Sequence, residues 1–189
     1  MRRDDVHAAL TRLASRLREE EIDYAIVGAM ALNAHGYRRE TVDIDVLTTD
    51  AGLTRIHEVL VGKGYLPRFP GARKKLRDVG TGVDIDFITA GEYPGDGKPK
   101  PVRFPEPALV SEDFGEVRVI RLDKLIELKL ASGLSASDRL KDLADVQETI
   151  RALDLPRDLG LDESVRSEYE RLWDGIQAAR ENRSAPDSD

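Results

Sequence analysis

The sequence contains no cysteine among its 189 residues, which excludes disulfides, thiolate zinc sites and cysteine nucleophiles. Long apolar segments are missing as well, since no run approaches the roughly 18 consecutive apolar residues of a membrane-spanning helix. The N-terminal residues Met-Arg-Arg-Asp-Asp do not begin the apolar segment of a secretory signal. These absences predict a cytoplasmic protein with no membrane partner.

An excess of positive charge is also missing, because the formal net charge is −7. Proteins that wrap duplex nucleic acid usually present a basic surface, so this balance argues against extended duplex binding. A local patch for an RNA acceptor is still compatible with it, because basic residues concentrate in two segments. They are Arg68, Arg73, Lys74, Lys75 and Arg77 in the first segment, and Lys98, Lys100 and Arg103 in the second. Solvated loops are the alternative interpretation of both segments.

The most informative motif that is present is Asp43-Ile44-Asp45. On an extended strand, residues two apart point to the same face, so Asp43 and Asp45 direct both carboxylates to one point. Two adjacent carboxylates repel each other unless a positive charge lies between them. A divalent cation is the usual solution. Mg²⁺, or Mn²⁺ in its place, suits such a pair because it keeps positions open for waters and phosphates.

Apolar strands and a small-residue turn surround this motif. Residues 22–27 predict a buried strand, Gly28-Ala29 a turn, and residues 30–35 a helix. A strand, a tight turn and a helix start form a corner that binds phosphate through backbone N–H groups. A later strand is predicted at residues 83–88, where apolar residues at 83, 85 and 87 alternate with two aspartates on the opposite face.

These features together resemble the signature of the DNA polymerase β-type nucleotidyltransferase superfamily. The resemblance rests on Gly28-Ala29, then thirteen residues, then Asp43-Ile44-Asp45, then a later strand aspartate. The stretch from Val27 to Leu47, with its Arg-x-Thr-x-Asp-Ile-Asp, resembles a bacterial branch that includes AbiEii-type and MenT-type toxins of toxin–antitoxin systems. The resemblance covers roughly residues 20 to 150.

The resemblance implies an α/β (α+β) fold, with a small mixed sheet flanked by helices and a helical C-terminal part. It implies Mg²⁺- or Mn²⁺-dependent transfer of a nucleoside monophosphate from an NTP to an acceptor hydroxyl. The implied metal ligands and catalytic residues are Asp43, Asp45 and Asp86, with Asp84 as the alternative third carboxylate. Family members often carry serine or glycine at the position of Ala29, so phosphate contacts here must come from backbone N–H groups.

One charged residue lies on the apolar face of a helix predicted at residues 122–132. Lys129 falls in the middle of the apolar stripe, whereas Glu127 falls on the solvated side. A lysine on a core-facing stripe needs a partner or an anionic ligand. It either reaches solvent past the helix end or, as the resemblance implies, binds the NTP phosphates. Replacement of Lys129 by Met is expected to leave stability unchanged or slightly higher.

The next helix is predicted at residues 137–153, with Leu140 on its buried face, Asp142 beside that face and Asp145 pointing further away. This geometry lets Asp142 orient Lys129. The residues that the resemblance implies as NTP ligands are Gly28, Ala29, Arg39, Thr41, Lys129 and Asp142. The acceptor stays open among a tRNA 3′ end, a protein hydroxyl and an antibiotic, and an antitoxin is a candidate partner.

The predicted organisation is a nucleotidyltransferase core over residues 1–121, a helical part of the same domain over 122–180, and a disordered tail over 181–189. Residues 89–107 are rich in Gly, Pro and charge, which predicts an irregular segment. It is either a lid or acceptor-binding loop or a fixed surface connection. The alternative function is a catalytically inactive nucleotide- or partner-binding module of the same fold, which Ala29 favours and the intact aspartate set disfavours.

Overall fold

A mixed sheet of seven strands dominates residues 3–184, the part of the chain that the computed structural model describes. In chain order the strands are β1 (Tyr24–Val27), β2 (Asp43–Thr48), β3 (Tyr65–Pro67), β4 (Lys75–Asp78), β5 (Asp84–Thr89), β6 (Ser111–Phe114) and β7 (Val117–Ile120). Their order across the sheet is β3-β4-β5-β2-β1-β7-β6. The pairs β2–β5 and β1–β7 are parallel, and the other neighbours are antiparallel.

Helices precede, separate and follow these strands, and only helices continue from β7 to the end of the described chain. They are α1 (Arg3–Glu19), α2 (Gly28–Ala34), α3 (Asp50–Leu60), α4 (Pro107–Val110), α5 (Leu122–Gly133), α6 (Leu140–Leu153) and α7 (Glu163–Ser184), with a 3₁₀ turn at Ser137–Arg139. The predicted α/β fold with a mixed sheet is therefore confirmed. None of the helices described is long and apolar enough to cross a membrane.

The described residues divide into two units. Residues 3–92 and 103–125 form the first, which contains the whole sheet, and residues 93–102 and 126–184 form the second, which contains α6 and α7. Helix α7 reaches Ser184. Residues 181–184 of the predicted disordered tail are therefore helical, and the rest of that tail lies outside the described residues.

Period-two alternation determines which face of the sheet is buried. Ile44 and Val46 of β2 are fully buried, whereas Asp43 and Asp45, which alternate with them, are partly exposed on the other face. Burying one such apolar side chain stabilises the fold by roughly 1.5–3 kcal/mol. A shift of the strand pairing by one residue would move these apolar side chains to the exposed face. The core therefore fixes the register that presents the aspartates.

Helices α1 and α3 cover the apolar face of the sheet in the first unit. Arg12 of α1 forms an ion pair with the buried Asp78 of β4. Gly52 of α3 packs against Thr48 of β2, and the Thr49 hydroxyl caps α3 by accepting a hydrogen bond from the Gly52 N–H at 2.8 Å. Because these helices lie on one face, the aspartates of β2 and β5 project from the other.

Candidate active site

In the turn between β1 and α2, the backbone of Gly28 packs directly against the carboxylate of Asp45. Gly28 has φ +64°, a left-handed conformation that glycine adopts without steric cost. A Cβ on this residue would lie 2.9 Å from Cγ of Asp45 and would overlap its Oδ2. Any side chain at position 28 would therefore displace the Asp45 carboxylate, and Ala29 follows at the first turn of the helix.

Four acidic side chains share one face of β2 and β5. The two strands are parallel, with Asp43 opposite Asp84 and Asp45 opposite Asp86. Neighbouring strands lie about 4.8 Å apart, so each pair brings two carboxylates side by side. The two carboxylates of a pair repel each other unless cations compensate their charge. The compensation differs between Asp84 in the first pair and Asp86 in the second.

Arginine side chains balance the charge of Asp84. Arg77 Nε donates to its Oδ1 at 2.7 Å, and Arg68 Nη2 lies 3.2 Å from its Oδ2. The hydrogen bond from Arg77 holds the pKa of the Asp84 carboxyl below its usual value, against the opposing effect of partial burial. Both oxygens of Asp84 are thus engaged by the protein's own cations.

Asp86 is only half compensated. Lys75 Nζ donates to its Oδ2 at 2.9 Å, but its Oδ1 is buried and has no hydrogen-bond partner among residues 3–184. A buried polar atom without a partner costs about 1–3 kcal/mol, and more when it is charged. Asp86 lies in register with Asp45, so the carboxylate with this unpartnered oxygen is the cross-strand neighbour of the Asp45 carboxylate.

The residues present fit a divalent cation, although they do not form a complete metal site alone. Within residues 3–184 there is no group of three or more acidic or histidine side chains arranged to hold a metal ion. Mg²⁺, however, needs only one or two protein carboxylates when waters and substrate phosphates supply its other ligands. Asp45 and Asp86 offer oxygens in adjacent register, which suits a cation bound jointly with a phosphate.

Thr41 and Arg39 lie on the segment that leads into β2. The Thr41 hydroxyl donates to Oδ1 of Asp43 at 2.6 Å and so orients that carboxylate. The backbone N–H and C=O of Arg39 both bond to the side-chain amide of Asn33 in α2, at 2.7 and 2.8 Å. Both residues line a cleft of about 890 Å³ whose walls also include Met30 of α2, but the aspartates of β2 and β5 do not line it.

The first basic segment is divided between the two faces of the sheet. Arg68, Lys75 and Arg77 project on the carboxylate face, where all three contact Asp84 or Asp86. We call these three residues the β3–β4 cation strip. The other two basic residues of the segment point elsewhere: Arg73 donates to Thr54 of α3, and Lys74 pairs with Glu92.

Lys129 lies in a buried ionic cluster of the second unit. Its Nζ donates to Oδ1 of Asp142 at 3.0 Å and to Oδ2 of Asp145 at 2.7 Å. The Ser132 hydroxyl donates to the other oxygen of Asp142 at 2.7 Å. Burial raises the pKa of the Asp142 carboxyl, but the Lys129 ammonium and the Ser132 hydroxyl outweigh it, so that pKa is lowered overall.

Three details of the predicted helix faces are wrong. Asp145 points toward Lys129 and is 6% exposed, whereas Leu140 is 64% exposed. Asp142 and Asp145, three residues apart, share the inward face because the buried ammonium attracts both. Glu127 is also buried, since its Oε2 accepts the Asp162 N–H at 2.8 Å.

The segment Tyr93–Val102 of the second unit is held by its own polar contacts. Lys100 Nζ donates to the carbonyl oxygen of Pro94 at 2.7 Å and to Oδ1 of Asp96 at 2.6 Å. The Asp96 N–H donates to the Ser135 hydroxyl just past α5 at 3.1 Å. These contacts favour the fixed surface connection over a free lid.

Sequence reasoning missed the pairing of the β3–β4 cation strip with the acidic strand. A signal was present, because Lys75 and Arg77 repeat the two-residue spacing of Asp84 and Asp86. Short neighbouring strands with complementary charges at period two pair directly across a hairpin, as β4 and β5 do here.

No protein-family model and no curated protein sequence matches this chain. Solved structures are similar to it. A Thermotoga maritima protein assigned to the nucleotidyltransferases matches with TM-score 0.53 and 17% identity over 77% of this chain and 96% of that one. ANT(2")-Ia, in complex with adenylyl-2"-tobramycin, matches with TM-score 0.52 and 12% identity over 94% and 98%.

A nucleotidyltransferase-like antigenic protein of Paracoccidioides brasiliensis is also similar, with TM-score 0.54 and 14% identity over 96% of this chain and 91% of that one. At these identities the likeness establishes the fold. The chain therefore has the nucleotidyltransferase fold that its sequence predicts, and the resemblance to AbiEii-type and MenT-type toxins stays a prediction.

Proposed function

We propose that the chain transfers a nucleoside monophosphate from an NTP to an acceptor hydroxyl. The observation that carries the proposal is the alignment of three groups across adjacent strands. Gly28 backbone closes against Asp45, and Asp45 lies in register with Asp86. The Gly28 turn and the carboxylates of Asp45 and Asp86 thus follow one another across adjacent strands. This arrangement suits a phosphate and its counter-cation.

Asp43, Asp45 and Asp86 are the proposed ligands of Mg²⁺ or Mn²⁺. The buried Oδ1 of Asp86, which has no partner among residues 3–184, supports this assignment over Asp84, whose two oxygens already contact arginines. When bound, such an ion neutralises charge that develops on the transferring phosphate. Thr41 fixes the orientation of Asp43 through its 2.6 Å hydrogen bond.

The Gly28-Ala29 turn is the proposed contact for the triphosphate. Without a side chain at position 28, backbone N–H groups approach a ligand held by Asp45. Ala29 supplies no hydroxyl, so main-chain donors carry this contact. Arg39 and Thr41, on the segment that leads into β2, are further proposed contacts, and Arg39 is held to α2 by its two bonds to Asn33.

The chemistry is an in-line displacement at the α-phosphorus. The acceptor hydroxyl oxygen forms the new P–O bond, the bond from the α-phosphorus to the bridging oxygen breaks, and pyrophosphate leaves. The hydroxyl proton passes to the Asp86 carboxylate in this proposal. Lys75, bonded to the other side of Asp86, keeps that carboxylate turned toward β2.

The fold supports this reaction class. The similar structure of ANT(2")-Ia contains adenylyl-2"-tobramycin, and the Thermotoga maritima protein is assigned to the nucleotidyltransferases. A role as the toxin of a toxin–antitoxin pair, with RNA or protein as acceptor, rests on the sequence resemblance alone. An inactive binding module of the same fold is the competing proposal, and turnover separates the two.

The decisive experiment compares Asp45→Asn with Asp84→Asn. Both variants remove one carboxylate charge from the same sheet face, but only Asp45 belongs to the proposed metal set. We expect Asp45→Asn to lower Mn²⁺ affinity by about tenfold or more, measured by titration with and without NTP. Asp84→Asn should keep wild-type Mn²⁺ affinity.

Turnover is measured in parallel as Mg²⁺-dependent pyrophosphate release from each NTP in the presence of total cell extract. The wild type should release pyrophosphate, and Asp45→Asn should not. Equal Mn²⁺ affinity in the wild type and Asp45→Asn would remove the metal assignment. Metal and NTP binding without any turnover would establish the binding module instead.

A further inference from the structure

The cleft of about 890 Å³ lies on the sheet face opposite the candidate active site. Its walls include Ile26 of β1 and Val119 of β7, which are paired in register. Ile26 is also in register with Val46 on the buried face of β2. The next residue of β1, Val27, is instead in register with Asp45. Because successive residues of a strand point to opposite faces, the cleft and the Asp45 carboxylate lie on different sides of the sheet.

Helices α1 and α2 and the segment 38–42 complete the walls of the cleft. These parts of the first unit are held in place by polar contacts. The backbone of Arg39 makes two hydrogen bonds to the Asn33 side chain of α2, at 2.7 and 2.8 Å. The ion pair of Arg12 with Asp78 ties α1 to the sheet. The cleft is therefore pre-formed, and its volume is within the usual range of about 300–1,000 Å³ for small-molecule sites.

Apolar side chains with exposed surface line the cleft. Val42 is 60% exposed and Phe114 is 37% exposed, and Met30 is partly exposed. The Phe114 ring makes a T-shaped contact with the His35 ring, with 5.0 Å between the centroids. The His35 ring is fixed in turn by its 2.8 Å hydrogen bond to the Ile120 carbonyl oxygen. A ligand that covers this apolar surface removes it from water, which favours binding.

The formal charges around the cleft cancel. Among the described side chains that line it, Asp4 and Glu40 are acidic, and Arg38 and Arg39 are basic. Asp4, Arg38 and Glu40 are exposed, so water and salt screen their charges. His7 is the other titratable side chain of this lining, and histidine counts as neutral at pH 7. The lining therefore selects neither an anion nor a cation.

The interior of the cleft disfavours a charged ligand. Its walls away from the charged rim are formed by buried apolar residues such as Val6, Ile26 and Val119. Burial of a charge without a partner is costly, whereas an uncharged apolar group meets no such cost. We propose that the cleft binds an uncharged, largely apolar small molecule. This site goes beyond the proposed function and does not depend on it.

The test measures binding of Nile red, an uncharged dye whose fluorescence increases in apolar surroundings. The full chain is titrated with the dye, which gives an affinity and a stoichiometry. The cleft variant is Val42→Asp. The matched control is Val79→Asp, because Val79 is 58% exposed, close to the 60% of Val42, but does not line the cleft. Melting temperatures show whether both variants are folded.

We expect the wild type to bind one equivalent of the dye. Val42→Asp should bind it at least about tenfold more weakly, which corresponds to about 1.4 kcal/mol. Val79→Asp should stay within about twofold of the wild type. Equal affinities in the two variants would place the dye elsewhere on the protein and overturn the proposal.

A second pair of variants fills the cleft instead of adding a charge to it. Ala8 of α1 and Ala51 of α3 are both exposed helical alanines, but only Ala8 lines the cleft. Ala8→Trp should lower the affinity for the dye, and Ala51→Trp should leave it unchanged. This pair decides the question if Val42→Asp does not fold. Unchanged dye binding in a folded Ala8→Trp variant would contradict the proposal.

Competition with three eight-carbon compounds tests the chemical class of the ligand. Octanol, octanoate and octylamine share one apolar chain and differ in charge. Octanol should displace the dye at the lowest concentration. Stronger displacement by octanoate would assign the cleft to an anion held by Arg38 or Arg39, and stronger displacement by octylamine would assign it to a cation. Either result would overturn the proposal of an uncharged ligand.

Two further measurements separate this site from the candidate active site. Mg²⁺ with an NTP should leave the affinity for the dye unchanged, and displacement of the dye would assign the cleft to the nucleotide and overturn the proposal. Asp45→Asn should bind the dye as the wild type does. Dye binding at the cleft together with unaltered Mn²⁺ affinity in Asp45→Asn would therefore remove the metal assignment alone. Loss of Mn²⁺ affinity in that variant, without dye binding to the wild type, would overturn the cleft site alone.

Discussion

Replacement of Lys129 by Met tests the buried cluster of the second unit most directly. From sequence alone this change is expected to be neutral or slightly stabilising. The structure reverses the sign, because Lys129 bonds to Asp142 and Asp145 at 3.0 and 2.7 Å. Its side chain is 11% exposed, and those of the two aspartates are 22% and 8% exposed.

The magnitude follows from leaving two carboxylates without their cation. Removing one partner of a buried ion pair costs about 3–5 kcal/mol, because the remaining charge loses its compensation. For a chain of this size each kcal/mol corresponds to about 2–4 °C in the melting temperature. Lys129→Met should therefore melt between about 6 and 20 °C below the wild type, measured by circular dichroism at neutral pH.

A compensated variant isolates the charge effect. Lys129→Met combined with Asp142→Asn and Asp145→Asn removes the whole ionic cluster, and it should recover most of the lost stability because no uncompensated charge is left. A melting temperature for Lys129→Met within about 2 °C of the wild type would refute the reasoning. NTP turnover of the compensated variant then tests the phosphate role of Lys129, since a stable protein with lost turnover would support it.

Three further changes have defined outcomes. Gly28→Ala should reduce the rate of pyrophosphate release by about tenfold or more, because a Cβ there displaces the Asp45 carboxylate. An increase of about 1.4 kcal/mol in the activation free energy lowers the rate tenfold. A wild-type rate would contradict this. Gly95→Ala should lower the melting temperature more than Gly97→Ala, since both have positive φ but only at Gly95 does a Cβ meet neighbouring atoms; equal melting temperatures would remove the packing argument. The lowered pKa of Asp142 contributes stability that is present above the usual carboxyl pKa of about 3.9 and is lost as pH falls through the lower folded value. Asp142→Asn should therefore lose less melting temperature than the wild type between pH 5 and pH 2, about the range over which a depressed carboxyl pKa acts. The same acid profile in both proteins would contradict this.

The central strands could be predicted because their sequence pattern is local. In β2 and β5, apolar residues alternate with Asp43, Asp45, Asp84 and Asp86, and burial of the apolar set alone decides which face the aspartates occupy. The difference between Asp86 and Asp84 in how far cations compensate their charge could not be predicted in the same way. It depends on the hairpin partner β4, whose cations engage Asp84 fully and Asp86 only in part.

The short strands of the sheet were harder to predict, and so were the buried faces of the helices in the second unit. Strand β6 reads Ser-Glu-Asp-Phe and has no apolar alternation, because it pairs with β7 through backbone groups and none of its side chains is fully buried. Asp145 falls on the wrong face of a helical wheel, because the wheel weighs hydrophobicity only. A buried Lys129 draws carboxylates inward, and that attraction is not visible in the periodicity of one helix.

The two edges of the sheet have a consequence for how this protein meets other chains. Edge strand β3 has three residues and includes Pro67, which cannot donate a backbone hydrogen bond. Edge strand β6 carries the exposed acidic residues Glu112 and Asp113. Short strands, proline and exposed charge all oppose the pairing of a further strand. The sheet is thereby protected against edge-to-edge aggregation, and a protein partner is expected to dock through side chains rather than by extending the sheet.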